Sequence, residues 1–230
     1  MNWKKEILEK IEFDDIKNRE EKEKVACKVA EKVKDGQVIG FGSGSTSYLA
    51  ILKIAEKVQK ENLHITAIPT SLEIKMLCGY LGIPTAILLE KKPDWSFDGA
   101  DEVDENKWLI KGRGGAMFQE KLNIASSPIT YILIDESKKV EKLGTNFPIP
   151  VECYPGAITH IKEELRKLGA NEIVLRKAVG KDGPVVTENG NLILDVRMEN
   201  ITAQTEKEIK AITGVIESGL FIGYSVEMIN

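Results

Sequence analysis

Between residues 37 and 60 the chain reads QVIGFGSGSTSYLAILKIAEKVQK. A short apolar stretch passes through a glycine-rich turn into a segment whose apolar residues, Leu49, Leu52, Ile54 and Val58, recur at helical spacing. Such a strand–turn–helix unit buries its strand only in a layered α/β fold, which removes all-α and all-β architectures from consideration. The pattern continues. HITAIPTS is a strand leading into a helix from Leu72 to about Gly79, TAILLE is a third strand after Gly82-Ile83-Pro84, and DWSF is a fourth. ITYILI, closed by Asp135, is almost continuously apolar, as expected of a parallel strand covered on both faces. Residues 1 to about 35 read as helical on Ile7, Ile11, Val25, Val29 and Val33, with Asp35-Gly36 ending the helix.

The texture changes near Pro148. FPIPVECYPG contains three prolines and a glycine and reads as a linker. Beyond it come a strand (VECY), a helix at about 157–168, a strand (EIVLR), a hairpin at Asn189-Gly190, a strand (LILDV), a helix at about 203–212 and a final apolar stretch. This βαββαβ order implies a ferredoxin-like unit. The expected fold is therefore α/β: a Rossmann-like parallel-sheet main domain over 1–147 plus 216–230, with a smaller ferredoxin-like α+β domain over 148–215.

Composition excludes several functions. Lys and Arg number 32 against 36 Asp and Glu, a net charge of −4, so the summed basic field of a general nucleic-acid binder is missing. No apolar run approaches the roughly 18 residues of a membrane helix. The opening MNWKKEILEKIEFDD lacks the apolar core of a signal peptide, so a cytoplasmic location is expected. Cys27, Cys78 and Cys153 form no C-x-x-C pair and read as buried free thiols. With only His64 and His160 present, neither a His-rich metal site nor a Ser-His-Asp triad has raw material. Proton transfer then falls to carboxylates and lysines.

Four segments carry groups suited to such chemistry. Gly40-Phe41-Gly42-Ser43-Gly44-Ser45-Thr46 lies between a strand and a helix, where free N–H groups and the helix dipole favour an anion. It lacks the lysine of a P-loop, and the next strand ends in Pro69, Thr70 and Ser71 rather than the acid of a dinucleotide site. A single phosphate fits it better; a tight turn with capping hydroxyls is the plainer alternative. DGADEVDE puts Asp98 and Asp101 just after a strand, without the spacing of an EF-hand. Lys111-Gly112-Arg113-Gly114-Gly115 follows a further strand and can deliver a cation to an oxyanion that the backbone also approaches. Glu120, in the helix behind that turn, borders an apolar stripe containing Met117, Phe118, Leu122, Ile124 and Ala125, so it is either a partly desolvated base or a boundary residue reaching water. Lys138 follows ITYILI and could reach the same sheet edge from a neighbouring loop, although an exposed surface lysine is the commoner case.

Taken together, GFGSGSTS, IPTS, DGADEVDENKWLIKGRGGAMFQEK, ILIDESK, FPIPVE, VTENGNLILDV and GVIESGLF resemble the type A ribose-5-phosphate isomerases in order and spacing along nearly the whole chain. The resemblance implies an enzyme that interconverts ribose 5-phosphate and ribulose 5-phosphate without cofactor or metal, as a homodimer or homotetramer. It also implies site residues: a phosphate loop at Ser43, Gly44, Ser45 and Thr46; substrate contacts over Asp98, Gly99, Ala100 and Asp101; a lysine and glycine turn at Lys111, Gly112, Arg113 and Gly114; a general base at Glu120; and a further substrate lysine at Lys138. Two positions depart from the common pattern. Ser43 stands where threonine is frequent, and Arg113 replaces a glycine of the turn, leaving open whether that backbone meets substrate or the arginine points away.

Two other classes compete. A non-catalytic sugar-phosphate sensor would keep the phosphate loop without needing Asp98, Lys111 and Glu120 together. An amino-sugar phosphate deaminase or acyl-CoA transferase on a similar fold would not need the spacing from DGAD through KGRGG to QEK. A coupled assay on ribose 5-phosphate separates all of them.

Overall fold

The structure is a computed structural model that describes residues 16–230. Among these the strands are β1 (Val38–Phe41), β2 (Thr66–Pro69), β3 (Trp95–Gly99), β4 (Glu102–Val103), β5 (Leu109–Ile110), β6 (Thr130–Leu133), β7 (Ile149–Cys153), β8 (Ala170–Leu175), β9 (Leu192–Met198), β10 (Val215–Ser218), β11 (Leu220–Phe221) and β12 (Val226–Ile229). The α-helices are α1 (Arg19–Glu31), α2 (Ser45–Glu61), α3 (Leu72–Leu81), α4 (Met117–Ser126), α5 (Ile158–Lys167) and α6 (Thr205–Ala211). The chain forms two compact units. The first takes the described residues up to Gly99, then Gln119–Ser137 and Ser225–Asn230; the second takes Ala100–Phe118 and Lys138–Tyr224.

In the first unit β1, β2, β3, β6 and β12 build an all-parallel sheet in the order β12-β6-β3-β1-β2. Parallel strands need both faces covered. Val25 and Val29 of α1, Ile51 and Ile54 of α2 and Leu77 of α3 join Ile39, Phe41 and Phe97 in one core. The Phe41 and Phe97 rings are tilted at 5.1 Å between centroids, tying β1 to β3. Because β1 has β2 on one side and β3 on the other, the turns leaving the carboxyl ends of β1 and β3 lie at a switch in strand order, where open α/β sheets bind ligands.

The second unit contains the expected βαββαβ run, β7-α5-β8-β9-α6-β10, with an antiparallel sheet in the order β10-β7-β9-β8. Ile161 and Leu165 of α5 and Ile209 of α6 pack on Val151, Leu194 and Val196 in its core. A small three-stranded sheet, β11-β5-β4, accompanies it.

Three local expectations are corrected. TAILLE forms no strand: Thr85 makes one isolated bridge to Ala67, and beyond it Ile87 and Leu89 are exposed, so nothing covers a continued strand. The proline-rich segment is no linker, because Ile149–Cys153 is a fully buried strand between β9 and β10. Pro150 is tolerated there because it lies at the end of the β10 pairing, where its carbonyl still accepts from the Gly219 N–H at 2.7 Å and only the N–H that proline lacks goes unused. Within the helix expected over residues 1 to about 35, residues 16–18 are not helical, α1 runs from Arg19 to Glu31 and Val33 lies beyond its end; Ile7 and Ile11 lie outside the described residues.

Candidate active site

The carboxyl end of β1 is shaped by missing side chains. A Cβ on Gly40 would lie 2.0 Å from Ser96 Oγ, and one on Gly42 would lie 2.3 Å from Asp98 Oδ1. Both glycines are therefore demanded by the close approach of β3. Gly44, at φ +86°, occupies a backbone region that L side chains rarely adopt and leads directly into Ser45, the first residue of α2. Asp98, only 2% exposed, accepts hydrogen bonds at Oδ1 from the Gly99 N–H (2.8 Å) and the Ser43 N–H (3.2 Å), so the acid and the loop hold each other. The Ser43 hydroxyl bonds Thr70 Oγ1 at 2.7 Å and donates to Ser71 Oγ at 3.0 Å, joining the ends of β1 and β2. The sequence reading missed Lys22: it is buried, and its Nζ donates to Ser45 Oγ at 3.1 Å, placing an ammonium beside the loop. Its sequence signal is spacing: Lys22 precedes Val25 and Ala26 by three and four residues and so continues the covered face of α1.

Glu120 is more deeply placed than its sequence neighbours imply. The buried positions of α4 are Met117, Glu120, Lys121, Asn123 and Ile124, whereas Leu122 and Ala125 are exposed. The apolar stripe expected to run through Leu122 and Ala125 is thus displaced, and Glu120, at 5% exposure, lies within the covered face rather than at its border. One turn on, Asn123 Nδ2 donates to the Ile68 carbonyl at 2.8 Å and anchors the helix to β2.

The second unit holds the remaining candidates. Lys111 is 3% exposed; its N–H donates to the Gly219 carbonyl, and its Nζ lies 5.7 Å from the centre of the Phe221 ring. Gly219 is required because a Cβ there would stand 2.1 Å from Lys111 O. Gly112 turns the chain at φ +94°, and its carbonyl accepts from Gly115 N–H. Asp101 Oδ2 accepts from the Arg113 N–H at 3.3 Å. The Arg113 side chain is exposed, with its guanidinium 5.7 Å from the Phe147 ring, and Lys138 Nζ is 5.7 Å from the same ring. Two further acids of the motif have local tasks. Glu102, fully buried, accepts from the N–H groups of Gly144, Asn146 and Phe147, and Asp104 caps the turn at Asn106 and Trp108.

Ser43–Thr46, Asp98, Gly99 and Glu120 thus belong to the first unit, and Ala100, Asp101, Lys111–Gly114 and Lys138 to the second. His64 and His160 are exposed. Cys78 and Cys153 are buried as expected, but Cys27 is exposed.

Comparison with known proteins gives a consistent picture. The family profile for ribose 5-phosphate isomerase A (phosphoriboisomerase A) matches residues 66–230. Ribose-5-phosphate isomerase A of Methanocaldococcus jannaschii is 46% identical over 208 residues, spanning 90% of this chain and 92% of that protein. The protein of the same name from Thermosynechococcus vestitus is 43% identical over 205 residues, covering 87% and 86%. The solved structure of the M. jannaschii protein superposes with a TM-score of 0.89, covering 93% of this chain and 96% of that one. A structure of D-ribose-5-phosphate isomerase in complex with phospho-erythronic acid superposes with a TM-score of 0.88 at 38% identity, with the same coverage.

Proposed function

Because the chain belongs to the ribose 5-phosphate isomerase A family, we propose that it interconverts ribose 5-phosphate and ribulose 5-phosphate through an enediolate. An aldose–ketose shift must open the sugar ring, remove the C2 proton, hold the resulting oxyanion and return a proton to C1. The chain's own residues supply a group for each step. Asp98 or Asp101 assists ring opening by proton transfer. Glu120 takes the proton from C2 and delivers it to C1. Lys111 stabilises the developing negative charge, with the N–H groups of the glycine turn beside it. Ser43–Thr46 with Lys22, or Lys138, anchors the phosphate away from the reacting carbons and fixes their position. The relative whose ligand is phospho-erythronic acid, a phosphorylated sugar acid, supports a phosphorylated sugar as substrate.

The observation that carries this reading is the burial of Glu120 inside an otherwise covered helix face of a chain that retains the family's DGAD, KGRGG and QEK blocks. A carboxylate on a solvated face would be the expected surface residue; one withdrawn from water needs a task. Glu120→Gln keeps shape and reach but accepts no proton. General-base catalysis contributes about 10²- to 10⁴-fold, so kcat is expected to fall by that factor with KM and melting temperature little changed. A variant keeping more than half the parent kcat removes Glu120 from the mechanism. The homodimer or homotetramer implied by the family belongs to the same reading, and sedimentation velocity tests it: a 25.6 kDa boundary would contradict it.

A further inference from the structure

Asp195 lies in β9 of the ferredoxin-like sheet, and Arg176 directly follows β8. Val174 of β8 pairs with Asp195 of β9, and Arg176 stands two residues further along, so both side chains rise from the same face. The guanidinium is used on two sides. Arg176 Nε donates to Asp195 Oδ2 at 2.9 Å and Nη2 donates to Oδ1, a two-pronged ion pair with both side chains mostly covered. Nη1 donates to the carbonyls of Gly112 at 3.1 Å and Arg113 at 2.8 Å, two consecutive peptides of the turn that follows Lys111.

Those two bonds orient more than the carbonyls. Across a trans peptide the N–H points opposite to the C=O, and the described chain has no cis peptide. With the Gly112 carbonyl held by Arg176, the Arg113 N–H is turned to Asp101 Oδ2. With the Arg113 carbonyl held, the Gly114 N–H is turned to that same side. A guanidinium bound to both oxygens also draws electron density through the peptides and makes the opposing N–H groups stronger donors. The Gly115 N–H closes the turn at the Gly112 carbonyl but does not reach the Arg113 carbonyl, so, with Gly112 at φ +94° adding no stiffness, the second peptide takes its support from Arg176.

We propose that the Arg176–Asp195 pair is a positioning device for the reaction: it fixes the Gly112–Gly114 peptides, and through them Asp101 and the cation of Lys111, in the orientation that receives the substrate oxyanion. The inference rests on the isomerase reading above. Asp195 holds the guanidinium plane; Arg176 transmits that orientation to the turn. A lysine in its place offers one compact charge and no planar fork.

The test compares the parent with Arg176→Ala, Arg176→Lys and Asp195→Asn, measuring kcat, KM for ribose 5-phosphate, melting temperature and the amide NMR shifts of residues 112–115. Because small misplacements of a catalytic array cost up to about 100-fold, Arg176→Ala is expected to lower kcat by about 10- to 100-fold and to shift those amides, with KM changed less than about threefold. Millimolar guanidinium should restore part of that kcat, and Arg176→Lys should fall between alanine and parent. Scaffolding alone predicts a lower melting temperature with kcat intact. A folded Arg176→Ala variant within twofold of parent kcat overturns the proposal. If that variant does not fold, Asp195→Asn decides: a reduced kcat at unchanged KM supports the device, and an unchanged kcat overturns it. If the parent itself does not turn over ribose 5-phosphate, the functional reading fails; unmoved amide shifts in the variants would then sink the clamp separately.

Discussion

At the residue scale, the contact between Gly42 and Asp98 links loop and acid. Alanine at 42 would press its Cβ to 2.3 Å from Asp98 Oδ1 and about as close to the β3 backbone, which flexible side-chain motion alone does not relieve. Gly42→Ala is expected to cost about 1–3 kcal/mol in urea unfolding, as overpacking commonly does, and to lower turnover as Asp98 is displaced. An alanine variant with parental stability and rate would show that the contact is slack. The cysteines make a second residue-level case. Burial pushes the Cys78 thiol up to about 12 and the Cys153 thiol up to about 11. Thiolate is the reactive form, so at about pH 8 a thiol reagent should label Cys27 alone in the native protein and all three cysteines after unfolding. The sign also fixes a pH effect. Free thiols ionise near 9.0, so above that pH the unfolded chain releases protons that the folded chain retains, and stability should decline on the alkaline side. Rapid native labelling of all three would contradict the burial.

At the element scale, two buried carboxylates stitch loops to strands. Glu102 of β4 holds the Gly144–Phe147 loop through three backbone N–H groups, and Glu152 of β7 holds the hairpin beyond β8 through the Thr187 hydroxyl and the Asn191 amide. Replacing Glu102 by alanine strands three donors, and hydrogen bonds to a charged acceptor contribute about 1.5–3 kcal/mol each, so a loss of about 3 kcal/mol or more is expected by denaturant unfolding. A loss under about 1 kcal/mol would mean that water replaces the carboxylate without penalty. These roles also explain what the sequence could not convey. In DGADEVDE all five acids look alike, because a linear pattern carries no information on which carboxylate meets backbone N–H groups from residues forty positions away. The same blindness applies to Leu122 and Ala125, whose apolar character pointed to a covered stripe that α4 turns outward, and to Pro150, whose presence in a central strand depends on where β10 stops. Strand–helix alternation, by contrast, was legible because burial on both faces leaves the continuous apolar runs seen in Val38–Phe41 and Thr130–Leu133.

At the scale of the whole molecule, the chain passes repeatedly between its two units, and the residue blocks expected to act on substrate are divided between them rather than gathered in one stretch. That is why a single glycine cluster says little and the ordered set of blocks says much. The ferredoxin-like order was read from strand and helix spacing alone, whereas the assignment of residues 100–118 to that unit depends on β5 pairing with β11, more than a hundred positions on. The acids that might otherwise be taken as cation ligands, Glu102 and Asp104, are committed to backbone N–H groups. Turnover is accordingly expected to survive exhaustive chelation; loss of activity in EDTA, restored by a divalent ion, would recast Asp98 and Asp101 as ligands. The most direct measurement is the proton NMR time course of ribose 5-phosphate in D₂O with the EDTA-treated protein. The account predicts ribulose 5-phosphate appearing to equilibrium with deuterium entering at C1, and both processes slowed together by Glu120→Gln. No ketose formation, or ketose formed at the parental rate by the Glu120→Gln variant, would contradict it.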